Sequence, residues 1–274
     1  MKTLHRHGKY DNNSTFKAKL ENVLLPQSLD TLFLYMKKHP IPEYEKFRMK
    51  LLSLLKTEPL PAKDIKILEK LLVKAKNLGK DREVGIAAIS KLVEVLGLKK
   101  IPALNKAVSL KCNDYYRVYL LQCYVIKALA SVMPKKAALA YFRKFTEYRY
   151  GLWKLPRYEN VVQKLDLSEA VKKGPLKDGV VFVDGVTEDG RAALKITKCR
   201  PCNILMKEVN DGHIVYEVIC HQDYQLTNLC NPNFVLTREK SIALGMPYCG
   251  HMWHDKRAHK GIKHPSRKFW QELN

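Results

Sequence analysis

GVVFVDGVTEDGRAALKITKCRPCNILMKEV, residues 179–209, is the stretch on which the architecture turns. Val180-Val181-Phe182-Val183 is rich in β-branched and aromatic side chains, Asp189-Gly190 is a turn pair, and Ala193-Leu194-Lys195-Ile196-Thr197 alternates. That pattern predicts two short strands joined by a tight turn. From Pro201 the apolar period becomes helical, so 201–209 and 214–229 read as helices. Beyond them, Phe234–Ala243 reads as a strand, Gly245-Met246-Pro247 as a turn, and Tyr248–His254 as the hairpin partner. The order strand, strand, helix, helix, strand, strand predicts an α+β fold: a small antiparallel sheet with helices packed on one face.

Upstream the pattern is helical. Ile65, Leu68, Leu72 and Ala75 share one helix face and Gly79 follows as a C-terminal stop, while Ile86, Ile89, Val93 and Leu96 repeat the spacing up to Gly97. Residues 29–38 and 43–56 also read as helices, set apart from that pair by Pro59-Leu60-Pro61. Asn113 is placed to cap a long helix through Val132, and Pro134 to open another that runs toward Tyr150. The expected organisation is a helical region over 1–110 and an α+β module over 111–274 that ends in a basic tail.

The chain has 274 residues, enough for one large core or two smaller ones, with 46% hydrophobic and 28% charged residues. That balance excludes wholesale disorder and a disulfide miniprotein. MKTLHRHGKY has no apolar segment, and the most apolar run, Val118–Met133, is broken by Gln122 and Lys127, so a cytoplasmic protein with no membrane span is expected. The net charge of +22 raises nucleic acid as a partner. Lysines dominate, however, and spread along the chain, which is the pattern of a solvated surface. Only the C-terminus is dense in charge, with Lys256, Arg257, Lys260, Lys263, Arg267 and Lys268 against Glu272. A homodimer is the default assembly.

Seven cysteines, with nothing marking an oxidising compartment, argue against a disulfide framework. Cys112 and Cys123 lie in apolar helical sequence, and Cys230 is assigned no role. Cys199, Cys202, Cys220 and Cys249 crowd the last third of the chain. On a helix, Cys220 and Asp223 share a face, which puts a thiol and a carboxyl group side by side. Cys199-Arg200-Pro201-Cys202 stands where a strand becomes a helix and reads as a metal knuckle, a redox pair or a single activated thiol. Cys249-Gly250-His251 adds a thiol and an imidazole. A zinc site from Cys199, Cys202, Cys249 and His251 or His254 is chemically open, although the spacing lacks a second Cys-x-x-Cys pair.

The runs ITKCRPCNILMKEV, ICHQDYQLTNLC and FVLTREKSIALGMPYCGHMWH resemble the C-terminal half of the 2-amino-thiazoline-4-carboxylic acid hydrolase family. That pattern is a strand ending in Cys, then Cys-x-x-Asp on a helix, a strand of the form R-T-x-T-I-A-x-G, and a Cys opening the last strand. The matches here are Cys199, Cys220 with Asp223, Arg238, Ser241, Ile242, Ala243, Gly245 and Cys249, over roughly residues 178–256. Met246, Gly250 and Ser241 depart from it, and Cys202 is an addition.

The resemblance implies addition of water across the C=N of a cyclic isothiourea. In that chemistry Cys220 attacks the carbon and Asp223 protonates a nitrogen, while Cys199 and Cys249 line the pocket and His251 carries a proton. It also implies a carboxylate-bearing small molecule gripped by Arg200 or Arg238. The expectation is therefore a cysteine-dependent hydrolase or related C–N/C–S bond enzyme. A different reading makes the module a binder of ligand or metal whose basic helical region engages nucleic acid or a protein.

Overall fold

The computed structural model describes residues 3–7, 13–19, 27–73, 77–78, 81–98, 101, 106–153, 157–161, 163 and 179–273. The chain forms two compact units, Met1–Ser14 with Tyr150–Asn274, and Thr15–Arg149. The division thus lies at 14/15 and 149/150 and not near residue 110. Strand pairing accounts for the first of these boundaries, since Thr3–His7 joins the C-terminal unit's sheet.

In chain order the first half holds β1 (Thr3–His7), β2 (Thr15–Lys19), α1 (Gln27–Lys38), α2 (Tyr44–Leu54), α3 (Ala62–Leu72), α4 (Arg82–Val95) and β3 (Ala107–Lys111). Helices α5 (Cys112–Tyr116), α6 (Leu120–Leu129) and α7 (Lys135–Gly151) follow. The second half comprises β4 (Val180–Val186), β5 (Ala192–Cys199), α8 (Arg200–Val209), α9 (Gly212–Val215), α10 (Gln222–Cys230), β6 (Phe234–Thr237), β7 (Cys249–Asp255) and α11 (Arg267–Glu272).

In the unit Thr15–Arg149, the predicted apolar stripes are the buried ones: Leu68 and Leu72 of α3, and Ile89 and Val93 of α4 with Leu96 just beyond it. Gly97, at φ 64°, ends α4 as expected, with Leu98 N–H donating to Val93 O at 3.1 Å. Ala75 and Gly79 lie outside the described residues. Asn113, expected as a cap, lies inside α5, whose N-cap is Lys111, and the long helix expected there is interrupted by a 3-10 turn at Arg117–Tyr119. β2 and β3 pair antiparallel, Thr15 opposite Lys111. Neither these two strands nor β1 is among the elements expected from the sequence, although Phe16 and Ala18 of β2 and Val108 and Leu110 of β3 alternate with more exposed neighbours.

The other unit is α+β. Its antiparallel sheet has the order β1-β4-β5-β7-β6. Alternation sends neighbouring residues to opposite faces. Ala192, Leu236 and Trp253 join Phe234 and Val161 on one side; Ala193, Val183 and Met252 meet Tyr248, Trp270 and Leu273 on the other. The first face, the one that bears Cys249 and His251, is packed by α10, whose Tyr224 meets this cluster and whose Thr227 Oγ1 accepts the Trp253 indole N–H at 3.0 Å.

The second face is closed by α11, so the basic C-terminal stretch is a folded cap and not a loose tail. Trp270 and Leu273 are buried, and a Cβ on Gly250 would stand 3.0 Å from the Trp270 ring, tight enough that the indole would have to give by a few tenths of an ångström. The charged residues of α11 remain outside, as Lys268 and Glu272 show. No helix among the described residues is long and apolar enough to cross a membrane.

Two segments differ from their sequence pattern where they meet the cysteines. The strand predicted through Ala243 stops at Thr237. The chain then leaves the sheet and makes a 3-10 turn, Ile242–Leu244, which Gly245 closes at φ 78°. The helix predicted over 214–229 contains a π segment, Tyr216–Cys220, in which His221 N–H reaches back to Tyr216 O at 2.8 Å. A wide turn of this kind rotates the residues after it relative to a regular helix.

Candidate active site

Four chain segments deliver the thiols to one place. β5 ends at Cys199, and Pro201 sits in the first turn of α8, where its missing N–H costs nothing, so Cys202 follows in that same turn. The π segment ends at Cys220. Cys249 opens β7.

Cys202 Sγ lies 3.9 Å from Cys220 Sγ. The Ser241 hydroxyl donates to Cys220 Sγ at 3.4 Å and accepts from the Cys249 thiol at 3.8 Å. Cys249 Sγ in turn accepts the Ile242 N–H at 3.2 Å. The early exit of the chain from β6 is what brings Ser241 and Ile242 here, and Gly212 permits it. A Cβ at Gly212 would meet the Ala243 carbonyl oxygen at 2.4 Å, well inside contact.

Beside the thiols stands a charged set. Arg238 donates through Nη1 to the Cys220 carbonyl at 2.8 Å and through Nη2 to Asp223 Oδ2, with its guanidinium over the Tyr224 ring at 5.4 Å. Asp223 Oδ2 also accepts from His251 Nε2 at 3.3 Å. Arg238 thus ties the Cys220 backbone carbonyl to the Asp223 carboxylate. The His251 ring stacks on Trp253, centroids 5.6 Å apart, and with Nε2 facing the carboxylate its buried Nδ1 has no hydrogen-bond partner among the described residues.

The environment separates the thiols by proton affinity. Hydrogen bonds from Cys202 and then Cys249 hold the Cys220 thiol well below its ordinary pKa. Burial opposes them, and the Arg238 charge and the Ser241 hydroxyl add to them. The donors move the other way. Cys202 is raised by its hydrogen bonds to Cys199 and Cys220 and by burial, and Cys249 by its bond to Cys220 and by burial. The shifts run in opposite directions, Cys220 downward and its hydrogen-bonding neighbours Cys202 and Cys249 upward.

Burial raises the Asp223 carboxyl, but the Arg238 charge and the hydrogen bonds from His251 and Arg238 outweigh it and bring the pKa to about 2. Burial, then the Arg238 charge, lower His251 against the pull of Asp223, so its imidazole is neutral near pH 7.

This geometry corrects several expectations. Asp223 is ionised, so it does not hold a proton for a leaving nitrogen. Arg238 is spent on Asp223 and the Cys220 carbonyl, with its side chain 1% exposed, and Arg200 is buried with Nη1 donating to Ser14 Oγ at 3.2 Å. Neither arginine presents an open fork to a carboxylate. Asp223, 40% exposed, is the member of the set that meets solvent.

Among the described residues no group of three or more His, Cys, Asp or Glu side chains is disposed to hold a metal ion, so the zinc set is not assembled. His251 is turned to Asp223. His254 lies an odd number of residues along the strand, hence on the opposite face, where its Nε2 meets Thr237 Oγ1 at 3.0 Å. Cys112, Cys123 and Cys230 are buried and stand apart in the chain from these contacts.

Two open surface clefts, one lined by Arg157, Tyr158, Asn231 and Arg257 and one by Thr187, Asp189, Arg191 and Phe269, contain none of the clustered thiols. No protein-family model, no curated protein and no solved structure matches the chain. The likeness drawn from the motifs therefore rests on the quoted residues, and the site stands on its geometry.

Proposed function

We propose that the chain is a cysteine-dependent hydrolase that cleaves a C–N or C–S bond of a small amidine-like substrate, of which a cyclic isothiourea is one form. The observation that carries this reading is the position of Cys220, whose sulfur receives hydrogen bonds from two thiols and a hydroxyl beside a buried guanidinium. Such surroundings hold a nucleophile in its reactive form at neutral pH.

The division of labour follows from the charges. Cys220 attacks the electrophilic carbon as the C=N π pair passes to nitrogen, which takes a proton from solvent. The bond to the leaving amine or thiolate then breaks and a covalent adduct remains, from which water releases the Cys220 thiolate. His251, neutral with an unpartnered Nδ1, takes the proton of the water that resolves the adduct, and Asp223 stabilises the imidazolium that forms. Cys199, Cys202 and Cys249 act through Cys220. With both arginines engaged, the amidine head and not a carboxylate is the group this centre recognises.

The test is turnover of 2-amino-thiazoline-4-carboxylate and of small acyclic amidines, read as ring-opened product or released ammonia. The wild-type chain turns over at least one of them. Cys220→Ala lowers that rate by about a thousandfold or more while the thermal unfolding curve stays in place. A Cys220→Ala protein with the wild-type rate overturns the reading.

A further inference from the structure

We propose that Cys202 and Cys220 are a dithiol that hydroperoxides oxidise to a disulfide, which makes the pair a modification site distinct from the hydrolytic chemistry. The hydrolytic reading gives Cys202 no contact with substrate: its sulfur lies 3.9 Å from Cys220 Sγ and is also hydrogen-bonded to Cys199. Both side chains are buried, Cys202 at 0% and Cys220 at 5% exposure, which excludes a large disulfide-exchange partner and leaves a small peroxide as the oxidant to test.

A disulfide needs a sulfur–sulfur separation of about 2.05 Å, which rotation of two short side chains supplies from the observed contact. The residues flank the site on separate segments, Cys202 in the first turn of α8 and Cys220 at the end of the π segment. The bond would link those segments across the nucleophile.

The chemistry closes without a further reagent. The Cys220 thiolate attacks one oxygen of the hydroperoxide; the S–O bond forms as the O–O bond breaks, and the departing hydroxide or alkoxide takes a proton from solvent. The Cys202 sulfur then attacks the sulfenic sulfur. The S–S bond forms, the S–O bond breaks, and the oxygen leaves as water with the Cys202 proton. Two thiols and one hydroperoxide give one disulfide, one alcohol or water, and one water. The Ser241 hydroxyl, 3.4 Å from Cys220 Sγ, is placed to donate to the sulfenic oxygen as it does to the thiolate. While the disulfide stands, no nucleophile is present, and a dithiol reductant restores it.

The test treats the full chain with an equivalent of hydrogen peroxide near neutral pH, alkylates the remaining thiols, digests without reduction and assigns linked peptides by fragmentation. The expected product links Cys202 to Cys220. Cys220 alkylation then falls at least about tenfold and returns with dithiothreitol. In Cys202→Ser, which keeps a hydrogen-bond donor of similar size, an excess of peroxide carries Cys220 past the sulfenic acid to sulfinic acid, a second equivalent oxidising the sulfenic sulfur, and dithiothreitol does not restore it.

A link from Cys220 to Cys249 or Cys199, or oxidation that leaves Cys220 reduced, overturns the proposal. The rate of Cys220 alkylation before peroxide tests the hydrolytic reading separately, because it measures the nucleophile without reference to Cys202 cross-linking.

Discussion

Replacing Ser241 by alanine isolates one of the groups that hold the Cys220 thiolate. The Ser241 hydroxyl donates to Cys220 Sγ at 3.4 Å in a buried setting, and it is also the acceptor for the Cys249 thiol at 3.8 Å. A hydrogen bond to a charged acceptor contributes about 1.5–3 kcal/mol, and a sulfur acceptor at this length belongs at the low end. At about 1.36 kcal/mol per unit, its loss raises the Cys220 pKa by roughly one unit.

The assay is iodoacetamide alkylation resolved at Cys220 by mass spectrometry, across about pH 5 to 9. Ser241→Ala shifts the midpoint of the rate profile upward by roughly one unit. At pH values well below the midpoint the variant reacts about tenfold more slowly than wild type, and on the alkaline plateau the two rates converge. Ser241→Thr, which keeps the hydroxyl, returns the profile toward wild type. Superimposable profiles for Ser241→Ala and wild type, or a downward shift, refute the assignment of Cys220 as a thiolate held by this donor.

Trp270→Ala removes the indole packed on Gly250 and its N–H bond to His264, at a cost of about 3–5 kcal/mol. Differential scanning calorimetry should show a melting temperature lower by roughly 10 °C, whereas a free tail would show no change. Gly212→Ala drives a methyl into the Ala243 carbonyl oxygen, found at 2.4 Å from the Cβ position. A stability loss of about 1–3 kcal/mol in urea is expected, with slower Cys220 alkylation as Ser241 is displaced.

Burial, then the charges of Arg191, His259 and His264, lower His254 to about 4. The unfolded chain binds that proton near pH 6.5, about the ordinary histidine value. The stability tied to the neutral ring is therefore complete above about pH 6.5 and is lost as pH falls toward 4. Urea midpoints should drop across that window, and less so in His254→Gln.

How far the site was legible depends on the range of the interactions. The thiol at Cys220 and the carboxyl group at Asp223 are three residues apart on helical sequence, so local periodicity predicts that they meet. That Arg238 bridges them, and so keeps Asp223 ionised, depends on β6 ending at Thr237, and no local pattern in FVLTREKSIAL distinguishes that ending from a longer strand. The π segment likewise has no composition of its own: Tyr216–Cys220 is ordinary helix-compatible sequence. Ser241 is visible as a motif residue, but its hydroxyl acquires a function only once two sulfurs stand beside it.

Periodicity and turn chemistry in the sequence determined what is local: the strands β4, β5 and β7, the helices with their Gly97 stop, and the crowding of chemistry into the last third of the chain. These follow from side-chain alternation and backbone freedom within a few residues. The tertiary structure decided what depends on long-range pairing. It recruited β1 to the C-terminal sheet, folded the basic end into a cap over Gly250, and gathered the Cys202 and Cys249 thiols around the Cys220 sulfur. Burial and proximity, which set the ionisation of those groups, are properties of segments brought together from far along the chain, and no window of sequence contains them.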